Sequence, residues 1–121
     1  MIAIVWQFDV KSGREAEFET LYGVEGEWTA LNRHTRSYLG SSFLHDQARP
    51  SRYIIIEYWS EMIVYEQHRA SGSAAISSLE ERSASLVDSA EPLGLYGTRR
   101  ARSHRADLVT AKIGLCFVDV E

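Results

Sequence analysis

Arg52-Tyr53-Ile54-Ile55-Ile56-Glu57-Tyr58-Trp59 is the stretch on which the fold turns. Its apolar run from Tyr53 to Ile56 puts greasy side chains on both sides of a strand, because successive residues point to opposite faces of a sheet. Such a strand needs cover front and back. Helices can cover one face, and a second copy of the chain is the simplest cover for the other. Each isoleucine is worth roughly 1.5 to 3 kcal/mol when fully buried, so a wet second face is costly.

Upstream, Ser37 to Asp46 reads as a neighbouring strand, with Leu39 and Phe43 on one face, Tyr38 and Leu44 on the other, and Gly40 at a bulge. Gln47 to Ser51, containing Pro50, is a loop. At the start, Ile2, Ile4, Trp6 and Phe8 alternate with Ala3, Val5 and Gln7 through Val10, a strand with both faces mostly dry. Lys11-Ser12-Gly13 turns the chain into a helix from Arg14, with Phe18, Leu21 and Tyr22 on one side. Gly23 and Gly26 interrupt it before a second piece carrying Trp28 and Leu31.

Downstream, Ser60 is expected to cap a helix from about Glu61. Ser71-Gly72-Ser73 weakens that helix, and Ala74 to Asp88 resumes it with Ile76, Leu79 and Leu86 inward. Pro92 is expected to stop it, leaving Leu93, Leu95 and Tyr96 for a last strand. The order is βαββαβ, an α+β ferredoxin-like arrangement of a four-stranded antiparallel sheet with helices on one face. Residues 1–98 form this domain. Residues 99–121 are a C-terminal extension, basic from Arg99 to Arg105 and then apolar at Ile113, Leu115 and Phe117, which suits an added strand, an irregular extension or a tail with little order.

Length and composition narrow the function classes. A chain of 121 residues, 45% hydrophobic and 25% charged, suits one globular domain. No apolar run reaches the length of a membrane span, and the opening Met1-Ile-Ala-Ile-Val-Trp6 lacks the basic start of a leader, so a cytoplasmic protein is expected. A net charge of −4 argues against a nucleic-acid partner. Only the basic run after Thr98 offers an anionic partner a surface, which keeps a regulatory role for the tail in view. Cys116 is the single cysteine, and the four histidines, at 34, 45, 68 and 104, lack metal-ligand spacing, so no metal is expected. The chain holds no Gly-rich phosphate loop, no Gly-x-Ser-x-Gly and no Cys-x-x-Cys.

Several strings taken together carry a family likeness: Tyr22-Gly23 with Gly26 and Trp28 to Leu31; Ser37-Tyr38-Leu39-Gly40; Arg52-Tyr53 running to Glu57-Tyr58-Trp59-Ser60; Tyr65; and Leu79-Glu80 continuing to Leu93-Gly94. Over residues 1–98 the chain resembles the antibiotic biosynthesis monooxygenase-like proteins. The resemblance implies a homodimer paired through its sheet faces into a dimeric α+β barrel. It implies a pocket between sheet and helices, used in some members to oxidise polycyclic aromatic substrates with molecular oxygen and without metal or flavin. A haem-degrading role is disfavoured, because Ala74 to Asp88 carries no histidine for the axial position.

The expected function is therefore a cofactor-independent monooxygenase-like protein acting on an aromatic small molecule; the alternative is a non-catalytic small-ligand binding or interaction homodimer of the same fold. His68, three residues after Tyr65 on one helix face, is the candidate catalytic base towards a phenolic substrate; a satisfied core or rim histidine is the plainer reading. Trp28, Trp59, Tyr38 and Tyr65 are candidate pocket walls, or simply core. Arg52 is a candidate partner for an anionic group, unless Asp46 or Glu57 pairs it on the surface. Gln7, the lone amide of its strand, needs a hydrogen-bond partner if buried, which a ligand or a hydroxyl such as Ser41 can supply.

Overall fold

Side-chain alternation, helical spacing and the placed glycines translate into eight elements. The structure, a computed structural model, describes residues 1–23 and 25–99. In chain order they are β1 (Ile2–Val10), α1 (Glu15–Tyr22), α2 (Glu27–Asn32), β2 (Tyr38–His45), β3 (Arg52–Trp59), α3 (Met62–Ala70), α4 (Ala74–Leu86) and β4 (Val87–Gly97). The strands form one sheet in the order β2-β3-β1-β4, every neighbouring pair antiparallel. This is the ferredoxin-like α+β fold, with each crossover split into two helical pieces.

Glycine makes both splits. The Gly23 N–H bonds the Glu19 carbonyl at 2.8 Å to end α1, and a Cβ on Gly26 would collide with the Leu21 carbonyl oxygen. Gly72 has a φ of +66° between α3 and α4, a conformation L side chains rarely adopt. Ser73 then caps α4, its side chain accepting from Ile76 N–H at 3.2 Å.

The β1–β3 register sets Phe8 opposite Tyr53, Trp6 opposite Ile55 and Ile4 opposite Glu57. Those residues share the face on which the helices pack. Phe18 of α1, with no exposed surface, is the hub of the core: its ring lies 4.7 to 6.1 Å from those of Phe8, Tyr22, Phe43 and Tyr53. Leu21, Ile76, Leu79 and Leu86 close it from the helical side. Val5, Gln7, Ile54 and Ile56 point to the opposite face and remain only partly buried.

Four sequence expectations need correction or fall outside the described residues. The bulge at Gly40 is real, and the residue it adds reverses the parity of β2: Tyr38 pairs with Trp59 and Phe43 with Ile55, so Tyr38 and Phe43 share the helix-covered face instead of opposing one another. Ser60 does not cap α3. Its hydroxyl meets Ser37 Oγ at 2.9 Å, and Ser37 accepts from the Glu61 N–H at 3.0 Å from across the fold. Pro92 does not end a helix either. The chain passes from α4 straight into β4, and Pro92 sits inside that edge strand beside a register shift, where a missing N–H breaks no required ladder bond. The extra strand expected from Ile113 onward lies outside the described residues.

Truncating the core hub should be severe. Phe18→Ala is expected to lower the unfolding free energy by about 3–5 kcal/mol, the usual cost of removing a buried phenylalanine. Urea denaturation checks this, and a loss near zero would show that the ring cluster is not the centre of the core.

Candidate functional site

A cavity of ≈ 160 Å³ lies between the sheet and the helices. Trp6, Phe8 and Ile55 form its floor on the sheet. Tyr22 and Trp28, on either side of the α1–α2 break, stack with centroids 6.0 Å apart and form one wall. Ala84 of α4 and Ala90 of β4 face these large rings, and their small side chains leave the space open. Ser83, buried on α4, ties the wall together: it accepts from Tyr22 OH at 2.9 Å and Trp28 Nε1 at 3.1 Å, and donates to the Leu79 carbonyl at 2.8 Å. Burial pushes the Tyr22 phenol up to about 12, so its proton stays on.

Glu57 is the polar group of the floor. It sits mid-strand with the parity of Tyr53 and Ile55, which turns its carboxylate away from solvent and towards the cavity. Oε1 accepts from Trp59 Nε1 at 3.1 Å, and Oε2 lies 3.5 Å from Asn32 Nδ2. Desolvation pushes its pKa above the ordinary 4.5; the Trp59 bond, the Arg69 charge and the Asn32 contact oppose that rise. Among the described residues no ion pair reaches it. Arg69 also lines the cavity, but its guanidinium bridges Glu80 at 3.0 Å and lies 5.0 Å over the Trp28 ring.

A polar chain runs from Glu57 to the outside. Asn32 Oδ1 is 3.1 Å from His68 Nε2, and His68 Nδ1 is 3.1 Å from Thr35 Oγ1. Because an amide oxygen only accepts, His68 Nε2 carries the hydrogen, and in the neutral ring Nδ1 accepts from the Thr35 hydroxyl. Burial first, and the Arg69 charge second, hold His68 below the ordinary histidine value of 6.5. The neutral ring therefore has both nitrogens occupied.

Of the residues singled out from sequence, only Trp28 lines the cavity. Trp59 is fully buried behind Glu57, with the Tyr38 and Tyr65 rings each 5.3 Å away at steep angles, so these three form a cluster that presents one N–H to the carboxylate. His68 lies 5.5 Å from the Trp59 ring and lines a separate open cleft with Thr35, Ser37 and Glu61. Gln7 is paired with Ile54 on the face away from the helices. Arg52 Nε is 3.6 Å from the Asp9 carboxylate, its cross-strand partner. Glu57, Trp6, Tyr22, Arg69 and Ser83 were not singled out for the site. For Glu57 a signal existed: a lone carboxylate two positions after Ile55 falls on the same face as the core. Among the described residues no group of three or more His, Cys, Asp or Glu side chains is placed to share a metal ion, and no helix is long and apolar enough to cross a membrane.

Comparison with known proteins gives one family and a set of shared folds. The family model for antibiotic biosynthesis monooxygenase matches residues 1–75. SnoaB, a cofactor-independent oxygenase from Streptomyces nogalater, superposes with a TM-score of 0.69 at 18% identity, covering 83% of this chain and 94% of SnoaB. An antibiotic biosynthesis monooxygenase structure gives 0.63 at 16%, covering 83% and 100%. A NIPSNAP family protein from Agrobacterium tumefaciens also gives 0.63 at 16%, covering 81% and 92%. At these identities the likeness is one of fold. No curated protein matches.

The chain from Thr35 to Glu57 makes a measurable prediction. His68→Ala frees the Asn32 amide, so Glu57 loses a donor to its ionised form and its midpoint should rise further, whereas His68→Gln keeps an N–H for Asn32 and should hold it nearer the wild-type value. Carboxyl ¹³C NMR of glutamate-labelled protein reads this directly. The linkage sign also follows: folded Glu57 holds its proton more tightly than the unfolded chain does, so its contribution to stability falls as pH rises from about 4.5 through the raised midpoint.

Proposed function

This chain belongs to the antibiotic biosynthesis monooxygenase family, and on that premise we propose that it is a homodimeric, cofactor-independent monooxygenase that oxidises an aromatic small molecule in the cavity between sheet and helices. The observation that carries the reading is a buried carboxylate, Glu57, set in a cavity beside the rings of Trp6, Phe8, Tyr22 and Trp28. Flat rings stack on flat substrates, and burial raises the Glu57 carboxylate above its ordinary value, making it a stronger base towards a hydroxyl than a solvated carboxylate. SnoaB's description as a cofactor-independent oxygenase supports the same direction.

The chemistry asks little of the protein beyond this. Loss of the hydroxyl proton to Glu57 leaves an electron-rich anion that can reduce dioxygen. One oxygen atom enters the ring carbon and the other leaves as water with the two hydrogens the substrate gives up, so the substrate itself provides the electrons. Trp6, Tyr22 and Trp28 keep water away from the anion. Glu57 is favoured over His68 as the proton acceptor because it faces the cavity, while both His68 ring nitrogens are engaged with Asn32 and Thr35. His68 then acts through Asn32, and Trp59, Tyr38 and Tyr65 act behind the carboxylate. Gln7 and Arg52, away from this cavity, are left for a ligand bound elsewhere on the sheet.

The homodimer forms through the sheet face opposite the helices, where Val5, Ile54 and Ile56 are partly exposed and Leu44 is 40% exposed. Pairing that face with its copy removes apolar surface that one set of helices cannot reach.

Two experiments test these readings. With hydroxyarenes as substrates, oxygen uptake should occur in the purified protein, and Glu57→Gln should slow it by about 10²–10⁴-fold, the usual contribution of a positioned base. If arenes raise the melting temperature but consume no oxygen, a binding protein replaces the enzyme. Light scattering at micromolar concentration should report twice the 13.7 kDa of one chain. Ile56→Lys should reduce it to one, and a wild-type monomer would remove the dimer.

A further inference from the structure

Cavity size and the balance of donors and acceptors together restrict what the site can hold. An engineered apolar cavity of about 150 Å³ accommodates benzene, and the cavity here is ≈ 160 Å³. One ring fits within it. The partly exposed Arg69–Glu80 bridge also lines it, and the enclosed volume leaves no room for a fused second or third ring.

The polar atoms select further. Tyr22 OH and Trp28 Nε1 both donate to Ser83, and the Ser83 hydrogen goes to the Leu79 carbonyl, so the wall spends its donors on itself. Arg69 is paired with Glu80 and stacked on Trp28. Glu57 is different. Its two oxygens have about four acceptor positions, and Trp59 and Asn32 use two. The cavity therefore presents spare acceptor capacity on an apolar floor, which suits a ligand that donates. An anionic ligand would set two like charges together in a desolvated space.

We propose that the cavity is a site for a single-ring hydroxyarene, a phenol or a hydroquinone, whose ring lies against Trp6, Tyr22 and Trp28 and whose hydroxyl donates to Glu57. The proposal rests on the reading above that this cavity is the ligand site, and it adds the size and hydrogen-bonding class of the ligand. Only the ring and one hydroxyl are specified. The selectivity is of the kind in which a buried acceptor discriminates against an analogue that lacks the donor.

Binding, not turnover, is the test. The full-length protein is titrated with phenol, toluene, benzoate and a three-ring hydroxyarene at pH 7.5, following the indole N–H signals of Trp6 and Trp28 by NMR. Phenol should bind about tenfold or more tightly than toluene, benzoate should bind more weakly than phenol, and the three-ring compound should not compete. Glu57→Met, which keeps the volume and removes the acceptor, should bring phenol down to the level of toluene, with circular dichroism showing that the fold is kept. Should that variant not fold, the wild-type panel still decides. Tighter binding of the three-ring compound overturns the size assignment and leaves the cavity as a ligand site. Equal binding of phenol and toluene, or tighter binding of benzoate, overturns the role given to Glu57. No binding by any arene overturns this proposal together with the function it rests on.

Discussion

The antiparallel register between β1 and β3 governs the rest of the molecule. It places Phe8 against Tyr53, Trp6 against Ile55 and Ile4 against Glu57, and so decides which side chains meet the helices. A slip of one residue would carry every one of these to the other face of the sheet. The core under Phe18, the floor of the cavity and the inward turn of one carboxylate are then a single choice. The glycine break between α1 and α2 sets Tyr22 and Trp28 on either side of it, and both donate to the same serine of α4.

Glu57 occupies a place where a leucine would pack at lower cost. Taking a carboxylate out of water without an ion pair costs stability unless hydrogen bonds replace its hydration. Trp59 and Asn32 do part of this, and His68 with Thr35 fixes the direction of the Asn32 amide. Four segments of chain, the α2 end, the α2–β2 loop, β3 and α3, thus converge on one group. A cluster that invests this many side chains in one desolvated acceptor is the pattern found where a perturbed pKa is put to use.

The order of strands and helices is readable because it rests on local signals. Alternation in Ile2–Val10, the apolar run in β3, the glycine breaks and the 3.6-residue spacing of Ile76, Leu79 and Leu86 all act within a few residues of themselves. The errors lie where a local signal meets a distant partner. Pro92 reads as a stop until β4 is known to be an edge strand. Ser60 reads as a cap until Ser37 is seen to reach Glu61 first. Gly40 reads as a bulge, yet the reversal of parity it imposes on Tyr38 emerges only from the pairing with Trp59.

By itself the sequence determined the order of elements, the side of β1 that meets the core, and the family likeness. These depend on periodicity, which is a property of neighbours along the chain. Tertiary structure alone decided that the hydroxyl of Ser83 receives two aromatic donors, that Arg69 leans on Trp28, and that His68 spends both nitrogens on polar neighbours while Glu57 faces the cavity. Those contacts join residues up to 61 positions apart, and a hydrogen bond or a void depends on distances in space that no spacing along the chain encodes.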